Sequence, residues 1–359
     1  MRLKTLRLKN YRNCTNISID FPSRKTIIIG KNAQGKTNIL ESIYFVSALK
    51  SPRTSTVSDL IQFNQSRFEI YANVEKNDTD IELDYVYTSD KKRELKVNKV
   101  KSTPRDFRSV IKTVLFSTKD LLLLRGSPED RRSWLDRAIS QIYPAYDERL
   151  TKYDKIRIQK NNLLKNEVID ESLFDIYNEQ LAVAGANIIY LRKKFLKEIE
   201  KIAILKHQTI SESEKFALNY TFSGNEVSEI LENLKNELSM RRNEELARRQ
   251  SCVGPHRDDI EFKINDVDAV KFASQGQQRT LVLSLKLSEL EVIKEKTGYY
   301  PILLLDDVLA ELDDRRQNYL LKSIDEKTQT IITSVDTLLF EQEYLNDVVI
   351  YTIDNGSIL

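Results

Sequence analysis

The chain has 359 residues, with 56 lysines and arginines against 54 aspartates and glutamates, so its formal net charge is only +2. Hydrophobic residues make up 40% and charged residues 31% of the sequence, which fits a globular protein and excludes a disordered or collagen-like chain. Because the net charge is close to zero, any binding to nucleic acid must come from local clusters of basic residues.

The sequence also bears on where the protein works. No apolar run approaches the roughly 18 residues of a membrane span, and residues 1–10 alternate charged and apolar side chains instead of forming a signal-peptide core. We therefore expect a cytoplasmic protein without a membrane partner. Cys14 and Cys252 lack a second cysteine or a nearby histidine at metal-ligand spacing, so we expect both to be reduced and structural.

The first third of the chain, residues 1–118, has the alternation of half-buried antiparallel strands. The alternating apolar residues are Leu6, Leu8, Ile17, Ile19, Phe21, Phe68, Ile70, Ala72, Val74, Ile81, Leu83, Tyr85 and Tyr87. Residues 145–254 contain no proline and are rich in Lys, Glu, Leu, Asn and Ile, which predicts a helical block.

The last third changes character again. Residues 260–264 alternate as a strand, and a long helix is predicted from about residue 277 to 296. Apolar runs at 302–305 and at Ile331 and Ile332 predict buried parallel strands, and residues 348–353 lead into a hairpin-type turn. The simplest interpretation is one α/β domain built from both ends of the chain, with a helical insertion.

Residues 30–37 read GKNAQGKT, between a β-branched run and a helical pattern. In such a phosphate loop the backbone N–H groups and the helix N-terminus converge on phosphate, Lys36 reaches the β and γ phosphates, and Thr37 can ligate Mg²⁺. The predicted nucleotide-contacting residues here are Gly30, Lys31, Asn32, Ala33, Gln34, Gly35, Lys36 and Thr37.

The run ILLLDD at residues 302–307 supplies the carboxylates that such a loop requires at the end of a neighbouring strand. We expect Asp306 to hold Mg²⁺ together with Thr37, and Asp307 to stand where a water-activating carboxylate belongs. Lys36, Asp306 and Asp307 are the predicted catalytic residues.

A third pattern, SQGQQ, begins at Ser274, which can cap the following helix and leave a helix N-terminus for an anion. A plain helix cap is the alternative when the pattern is taken alone. Between a phosphate loop upstream and LLLDD downstream, however, the order is that of an ABC-type ATPase with ATP as cofactor. Ser274, Gly276 and Gln277 are then predicted to contact nucleotide.

Several segments together resemble the RecF family, the recombination mediators in the group that includes the SMC proteins. They are residues 10–13 (NYRN), 126–136 (GSPEDRRSWLD), 253–259 (VGPHRDD) and 306–313 (DDVLAELD). The similarity runs from Leu3 to nearly the carboxyl end.

The resemblance implies an α/β fold: an ABC-type P-loop ATPase head, with a mixed sheet and an antiparallel β subdomain, plus an inserted α-helical arm. We assign residues 1–118 and 250–359 to the head and 119–249 to the arm, and Arg12 to nucleotide contact. It further implies that ATP closes a head-to-tail homodimer. One chain with one copy of each motif then needs a second copy, because the Ser274 segment faces the nucleotide of the partner subunit.

The function implied is ATP-gated DNA binding in recombinational repair and replication restart. The implied DNA is a single-strand/double-strand junction or gap, on the nucleoid, with RecR and RecO as partners that help load RecA. Since Asp307 is shorter than the glutamate of most ABC enzymes, we hypothesise slow hydrolysis that resets the protein. Two alternatives are a transport-type ABC ATPase subunit and a static DNA clamp with a vestigial ATP site.

Other features leave their interpretation open. The densest basic stretch is either a DNA-contacting surface or a solvated hairpin; its members are Lys91, Lys92, Arg93, Lys96, Lys99, Lys101, Arg105 and Arg108. His256 and Arg257 act either near nucleotide or DNA, or as braces of their loop. His207 has no evident partner in the sequence.

Overall fold

The computed structural model describes residues 1–211 and 213–359. The chain divides into two compact units, one formed by Met1–Leu121 with Val282–Leu359 and the other by Leu122–Leu281. No helix in the described ranges is long and apolar enough to cross a membrane.

The amino-terminal part of the first unit contains a six-stranded antiparallel sheet. The elements are β1 (Arg2–Tyr11), β2 (Cys14–Asp20), β3 (Lys25–Ile29), α1 (Lys36–Ala48), β4 (Arg67–Lys76), β5 (Thr79–Thr88), β6 (Arg93–Val97), β7 (Val100–Lys101), α2 (Pro104–Val110) and β8 (Thr113–Ser117). The strand order of the antiparallel sheet is β2-β1-β4-β5-β6-β7. Alternate residues of its strands are buried, as the sequence predicts. Leu8 of β1, for example, pairs with Ile17 on one side and Ile70 on the other.

The second unit is mainly helical. Its elements are α3 (Pro128–Ile142), α4 (Tyr146–Leu163), α5 (Glu171–Ile210), β9 (Phe216–Tyr220), α6 (Val227–Met240), α7 (Arg242–Arg248), β10 (Ile260–Ile264), β11 (Val267–Asp268), α8 (Ala269–Phe272) and the start of α9 (Gln275–Thr297). Strand β9 interrupts the predicted helical block. It buries Phe216 and Tyr220 at a spacing of four and pairs antiparallel with β10.

The chain then returns to the first unit. The elements are β12 (Ile302–Asp306), α10 (Asp314–Ser323), β13 (Thr330–Ser334), α11 (Gln342–Leu345), β14 (Val348–Asp354) and β15 (Ser357–Ile358). A second sheet has the order β15-β14-β3-β13-β12-β8, and all of its pairs except β14 with β15 are parallel. The prediction of an α/β core built from both ends of the chain is confirmed.

Helix α1 is buried on most of its surface and contacts strands of both sheets. Phe45 lies 4.9 Å from Tyr85 and 6.1 Å from Phe68, centroid to centroid, in edge-on packing. A helix that is apolar on most sides can only be stable inside a core. This burial fixes the position of the helix N-terminus, where residues 30–37 join it to β3.

The head and arm boundaries stay a prediction. The compact units differ from them at residues 119–121, assigned above to the arm, which fall in the first unit, and at residues 250–281, assigned above to the head, which fall in the second unit. The physical reason is pairing: β10 forms its ladder with β9, and Asp259 forms a salt bridge with Arg131.

Candidate nucleotide-binding site

The loop between β3 and α1 requires glycine at both ends. A Cβ on Gly30 would lie 2.4 Å from the carbonyl oxygen of Ile353, because β14 runs beside β3. Gly35 has φ +112°, and a Cβ there would lie 2.8 Å from Oδ1 of Asn13. Both positions combine a close approach with a backbone conformation that side chains rarely adopt, so the loop shape depends on these glycines.

Lys36 begins α1 but its ammonium group points back into the loop. Its Nζ donates hydrogen bonds to the carbonyl oxygens of Gly30 at 2.6 Å and Lys31 at 3.0 Å. The residue is only 3% exposed. A buried cation inside a glycine-bracketed loop at a helix N-terminus is the arrangement that binds phosphate.

Thr37 and Asp306 meet where the two motifs come together. The Thr37 hydroxyl donates to Oδ1 of Asp306 at 2.9 Å, and the Thr333 hydroxyl donates to the same oxygen at 3.0 Å. Burial raises the pKa of Asp306, although these two hydrogen bonds act to lower it. The two oxygen ligands fit Mg²⁺, which usually takes one or two protein ligands and completes its shell with phosphate oxygens and water.

Asp307 follows Asp306 directly at the carboxyl edge of the parallel sheet. Its backbone has φ 52°, and its N–H donates to the Thr333 hydroxyl at 2.9 Å. Left-handed backbone at a non-glycine residue is uncommon and clusters at functional sites. The Thr333 hydroxyl thus contacts both aspartates: it donates to the carboxylate of Asp306 and accepts from the backbone N–H of Asp307.

Arg12 is held at the site by Glu41 of α1, whose side chain is fully buried. Its Nε and Nη2 donate to the two carboxylate oxygens of Glu41 at 3.1 and 2.9 Å. Burial acts to lower the pKa of Arg12, but the hydrogen bond and charge of Glu41 raise it overall. The guanidinium therefore keeps its charge beside the loop.

Arg53 is a basic residue of this site that the sequence analysis missed. It donates to Oδ1 of Asn38 at 2.6 Å and to Glu41 at 3.3 Å, and its positive charge acts to lower the pKa of Asp306. Its sequence neighbourhood has no nucleotide motif. The only available signal was its position, shortly after the helix that follows the phosphate loop.

The carboxyl end of the chain supports the loop from behind. Gly356 N–H donates to the carbonyl oxygen of Gln34 at 2.8 Å, and Asn355 N–H donates to its Oε1 at 2.6 Å. Asn13 Nδ2 donates to the same Gln34 carbonyl at 3.1 Å. The predicted hairpin turn near the carboxyl end is therefore part of the wall of the phosphate loop.

The segment at Ser274 lies in the second unit and forms a capping box at the start of α9. Gln277 N–H donates to the Ser274 hydroxyl at 3.2 Å, and Ser274 N–H donates to Oε1 of Gln277 at 2.8 Å. Ser274 thus caps α9, as the sequence predicts, and the contact of this turn with nucleotide stays a prediction. Ser274 is exposed, and Gly276 and Gln277 are partly exposed.

The segments 126–136 and 253–259 meet within the second unit. Arg131 donates two hydrogen bonds of 2.7 Å to the carboxylate of Asp259, and Arg132 donates to the carbonyl oxygen of Asp258 at 2.7 Å. His256 contacts the Tyr153 hydroxyl through Nδ1 at 2.7 Å and the Ser251 carbonyl through Nε2 at 3.2 Å. These contacts favour the loop-bracing interpretation of His256.

The structure therefore brings residues 30–37, Asp306 and Asp307 together at one edge of the parallel sheet, with Arg12 tied to α1. The residues at 274–277 lie in the other unit. The roles of all these side chains stay predictions.

The chain matches the family model "RecF/RecN/SMC N terminal domain" over residues 2–357. It is 40% identical to a protein from Alkaliphilus oremlandii and 41% identical to one from Streptococcus gordonii, with all of each chain covered. Both are called "DNA replication and repair protein RecF". The chain belongs to the RecF family.

Solved structures agree with this assignment. A RecF described as the recombination mediator RecF-ATPrS in the RecFOR pathway has 34% identity and a TM-score of 0.92, covering 99% of this chain and 97% of that chain. An SMC head bound to the C-winged helix domain of ScpA has 15% identity and a TM-score of 0.57, a likeness of fold alone. The predicted fold class of this RecF-family chain, an ABC-type ATPase head with a helical arm, is confirmed.

Proposed function

We propose that this chain is an ATP-gated DNA-binding protein of recombinational repair and replication restart, with slow ATP hydrolysis. ATP with Mg²⁺ closes two copies head to tail, and the dimer binds single-strand/double-strand junctions of gapped DNA. RecR and RecO are its partners, RecA is loaded as a result, and the protein works in the cytoplasm on the nucleoid.

The observation that carries the proposal is the contact of Thr37 with Asp306 beside the buried Lys36 ammonium. The lysine would neutralise the phosphates, and the hydroxyl and carboxylate would hold the metal that supplies further neutralisation. A RecF solved in the RecFOR pathway is described as RecF-ATP and is 34% identical to this chain. The static clamp with a vestigial site is disfavoured, because these residues are in place for binding.

The number of nucleotide motifs in each chain supports the dimer. Each chain has one phosphate loop and one segment at 274–277, whose exposed Ser274 caps a helix and can receive a phosphate from outside. In a symmetric dimer, each segment at 274–277 meets the nucleotide bound by the partner's phosphate loop, so the two copies form two complete sites. To move the population from mostly open to mostly closed, ATP must favour the closed form by about 5.5 kcal/mol.

DNA contact is proposed on the β5-β6 hairpin and the residues after it. Lys91, Lys92, Lys99 and Lys101 are exposed, whereas Arg108 is buried and donates to Pro104, so it leaves the predicted surface. Lys99 also lies 3.7 Å from Glu82, with 82% of its side chain exposed. Such surface pairs are weak, so phosphate can compete for these lysines.

The decisive experiment measures retention on gapped duplex DNA with ATP, without ATP, and with the Lys36→Ala variant. We expect retention that depends on ATP and falls at least about tenfold in Lys36→Ala, since one lost charge contact to phosphate is worth that much. Lys322→Ala, an exposed lysine on α10, is the control and should retain DNA like the native protein.

The other outcomes discriminate the alternatives. Retention of DNA that is the same with and without ATP would support the static clamp. No retention under any condition would support the transport-type ATPase. For the hairpin, Lys99→Ala should reduce the slope of log affinity against log salt by about 0.9. An unchanged slope, equal to that of the Lys322→Ala variant, would remove Lys99 from the DNA surface.

Slow hydrolysis is tested separately by steady-state turnover. Asp307 has a shorter side chain than glutamate and a left-handed backbone, so we expect its carboxylate to activate water weakly. Turnover of many molecules per second would contradict this part of the proposal while leaving ATP binding intact.

A further inference from the structure

Glu214 connects the end of the long helix α5 with the segment at 274–277. Its Oε2 lies 2.9 Å from Nε2 of His207, which is in the last turn of α5. Its Oε1 accepts a hydrogen bond from Nε2 of Gln277, also at 2.9 Å. One carboxylate, between α5 and β9, thus contacts a residue of the arm and a residue of the predicted nucleotide-contacting segment.

The amide of Gln277 is fixed by its two partners. Its Oε1 accepts the N–H of Ser274 in the capping box, so its amino group must face Glu214. A capping box is complete without a third residue. The hydrogen bond that Gln277 donates to Glu214 is therefore an addition to the cap, and it ties the side chain of Gln277 to that carboxylate.

His207 anchors the other side of Glu214. The imidazole is fully buried and stacks on Phe216, with the ring centroids 5.6 Å apart. Burial lowers the pKa of His207, so the ring is neutral at pH 7. Among the described residues Nδ1 has no hydrogen-bond partner, which places the proton on Nε2, facing the carboxylate.

The carboxylate itself stays charged. Burial acts to raise the pKa of Glu214, but hydrogen bonds from Gln277, His207 and Ser211 outweigh it and lower the pKa. Hydrogen bonds to a charged acceptor are about twice as strong as neutral ones. The link between α5 and the turn is consequently one of the stronger contacts that Gln277 makes.

We propose that Glu214 is a positioning residue of the composite nucleotide site, which sets the Ser274–Gln277 turn in the form that meets the partner's ATP and couples that turn to α5. This inference rests on the proposed head-to-tail dimer. It assigns no contact of Glu214 with nucleotide, because the carboxylate would repel phosphate.

The first test compares Glu214→Ala and Glu214→Gln. We expect Glu214→Ala to lower ATP-dependent dimerisation and hydrolysis about tenfold, the size of effect given by one hydrogen bond to a charged group. ATP binding to the single chain should not change, because residues 30–37 lie in the other compact unit. Glu214→Gln, which can still accept from Gln277, should recover most of the dimerisation.

The matched control is Glu232→Ala, an exposed carboxylate on α6 of the same unit. It should behave like the native protein in every assay. Native dimerisation and turnover in Glu214→Ala would overturn the inference. Equal weakening of ATP binding and dimerisation would also overturn it, since that pattern indicates general destabilisation.

A mixing experiment separates positioning from misfolding. Glu214→Ala has an intact phosphate loop and Lys36→Ala has an intact Ser274 segment, so each mixed dimer regains one complete site. With random pairing, mixing the two variants should restore about a quarter of the native activity, because half of the dimers are mixed and each has one working site of two. A misfolded Glu214→Ala chain would restore none.

A second mixture tests the dimer on which the inference rests. Ser274→Arg blocks the segment directly, and it should also recover activity when mixed with Lys36→Ala. If this mixture fails, the head-to-tail dimer itself is wrong. If it succeeds and the Glu214→Ala mixture does not, the dimer stands and the positioning role of Glu214 is refuted.

Discussion

Two loops of this protein are held in different ways. In residues 30–37, the supporting hydrogen bonds are accepted by carbonyl oxygens, as when Gly356 N–H donates to Gln34 and Lys36 donates to Gly30. In residues 253–259, arginine and tyrosine side chains bind not only a carbonyl oxygen but also the loop's own carboxylates. They include Arg192, which donates to the Pro255 carbonyl oxygen at 2.5 Å.

The difference follows from what each loop must leave available. Phosphate binds to amide N–H groups, so supports that use carbonyl oxygens do not compete with the ligand. The other loop has a different requirement, because it must place the carboxylate of Asp259 against Arg131 and the buried carboxylate of Asp258 against the Tyr220 hydroxyl. We therefore expect the first loop to be sensitive to backbone changes and the second to changes of charge.

The largest effect is expected for Arg192→Met. Arg192 is 3% exposed and donates two hydrogen bonds of 2.8 Å to the carboxylate of Asp136. Its removal takes the charged partner from the partly buried carboxylate of Asp136 and a donor from the Tyr220 hydroxyl, which should cost about 3–5 kcal/mol of the free energy of unfolding. Urea denaturation measures this change in the free energy of unfolding.

Lys194→Met is the control for that substitution, because Lys194 is exposed on the same helix. It should change the free energy of unfolding by less than about 0.5 kcal/mol. If the two variants are equally stable, the second loop does not depend on buried charge, and the comparison of the two loops fails.

A smaller effect is expected for Gly356→Ala behind the phosphate loop. Gly356 has φ +73°, and a Cβ would lie 2.3 Å from the carbonyl oxygen of Asn13. We expect a loss of about 2 kcal/mol from strain and displacement, with ATP affinity reduced because the turn supports Gln34. Denaturation and ATP titration measure the two effects.

Gly298→Ala provides a close control. Gly298 has φ +75°, but its Cβ would meet nothing within 4 Å. The Gly298→Ala variant should lose only about 1 kcal/mol of the free energy of unfolding, the cost of left-handed backbone for alanine, and it should keep full ATP affinity. Equal ATP affinity in both variants would show that the carboxyl-terminal turn does not support the loop.

The smallest effect concerns pH and His256. Burial lowers the pKa of His256 to about 3, so the native state binds fewer protons than the unfolded state below the ordinary histidine pKa. Stability should therefore fall as the pH falls. This one group should cost about 1.4 kcal/mol at pH 5.5, one unit below the usual value of about 6.5.

The measurement compares the native protein with His256→Gln at pH 7.5 and pH 5.5. Burial raises the pKa of Asp258 to about 6, which gives a trend of opposite sign, but both proteins contain it. The variant should lose about 1.4 kcal/mol less on acidification, whereas Tyr153→Phe should keep the native dependence. Identical pH dependence in all three would mean that His256 is not buried in its neutral form.

Much of the fold could be predicted from the sequence where the pattern is local. Alternating apolar residues predicted β1, β2, β4 and β5, and short apolar runs predicted β12 and β13. Strand β9 was missed because it lies in a stretch rich in helix-forming residues, and only its pairing with β10, far away in sequence, makes it a strand.

The sequence alone determined the phosphate loop, its aspartates and the capped Ser274 turn, because their chemistry depends on spacing along the chain. Only the tertiary structure decided which distant groups support them: Glu41 beneath Arg12, Arg53 near Asp306, and Glu214 between His207 and Gln277. Most of these contacts join residues that are far apart in the chain, so they form only when the packed molecule brings the side chains to their partners.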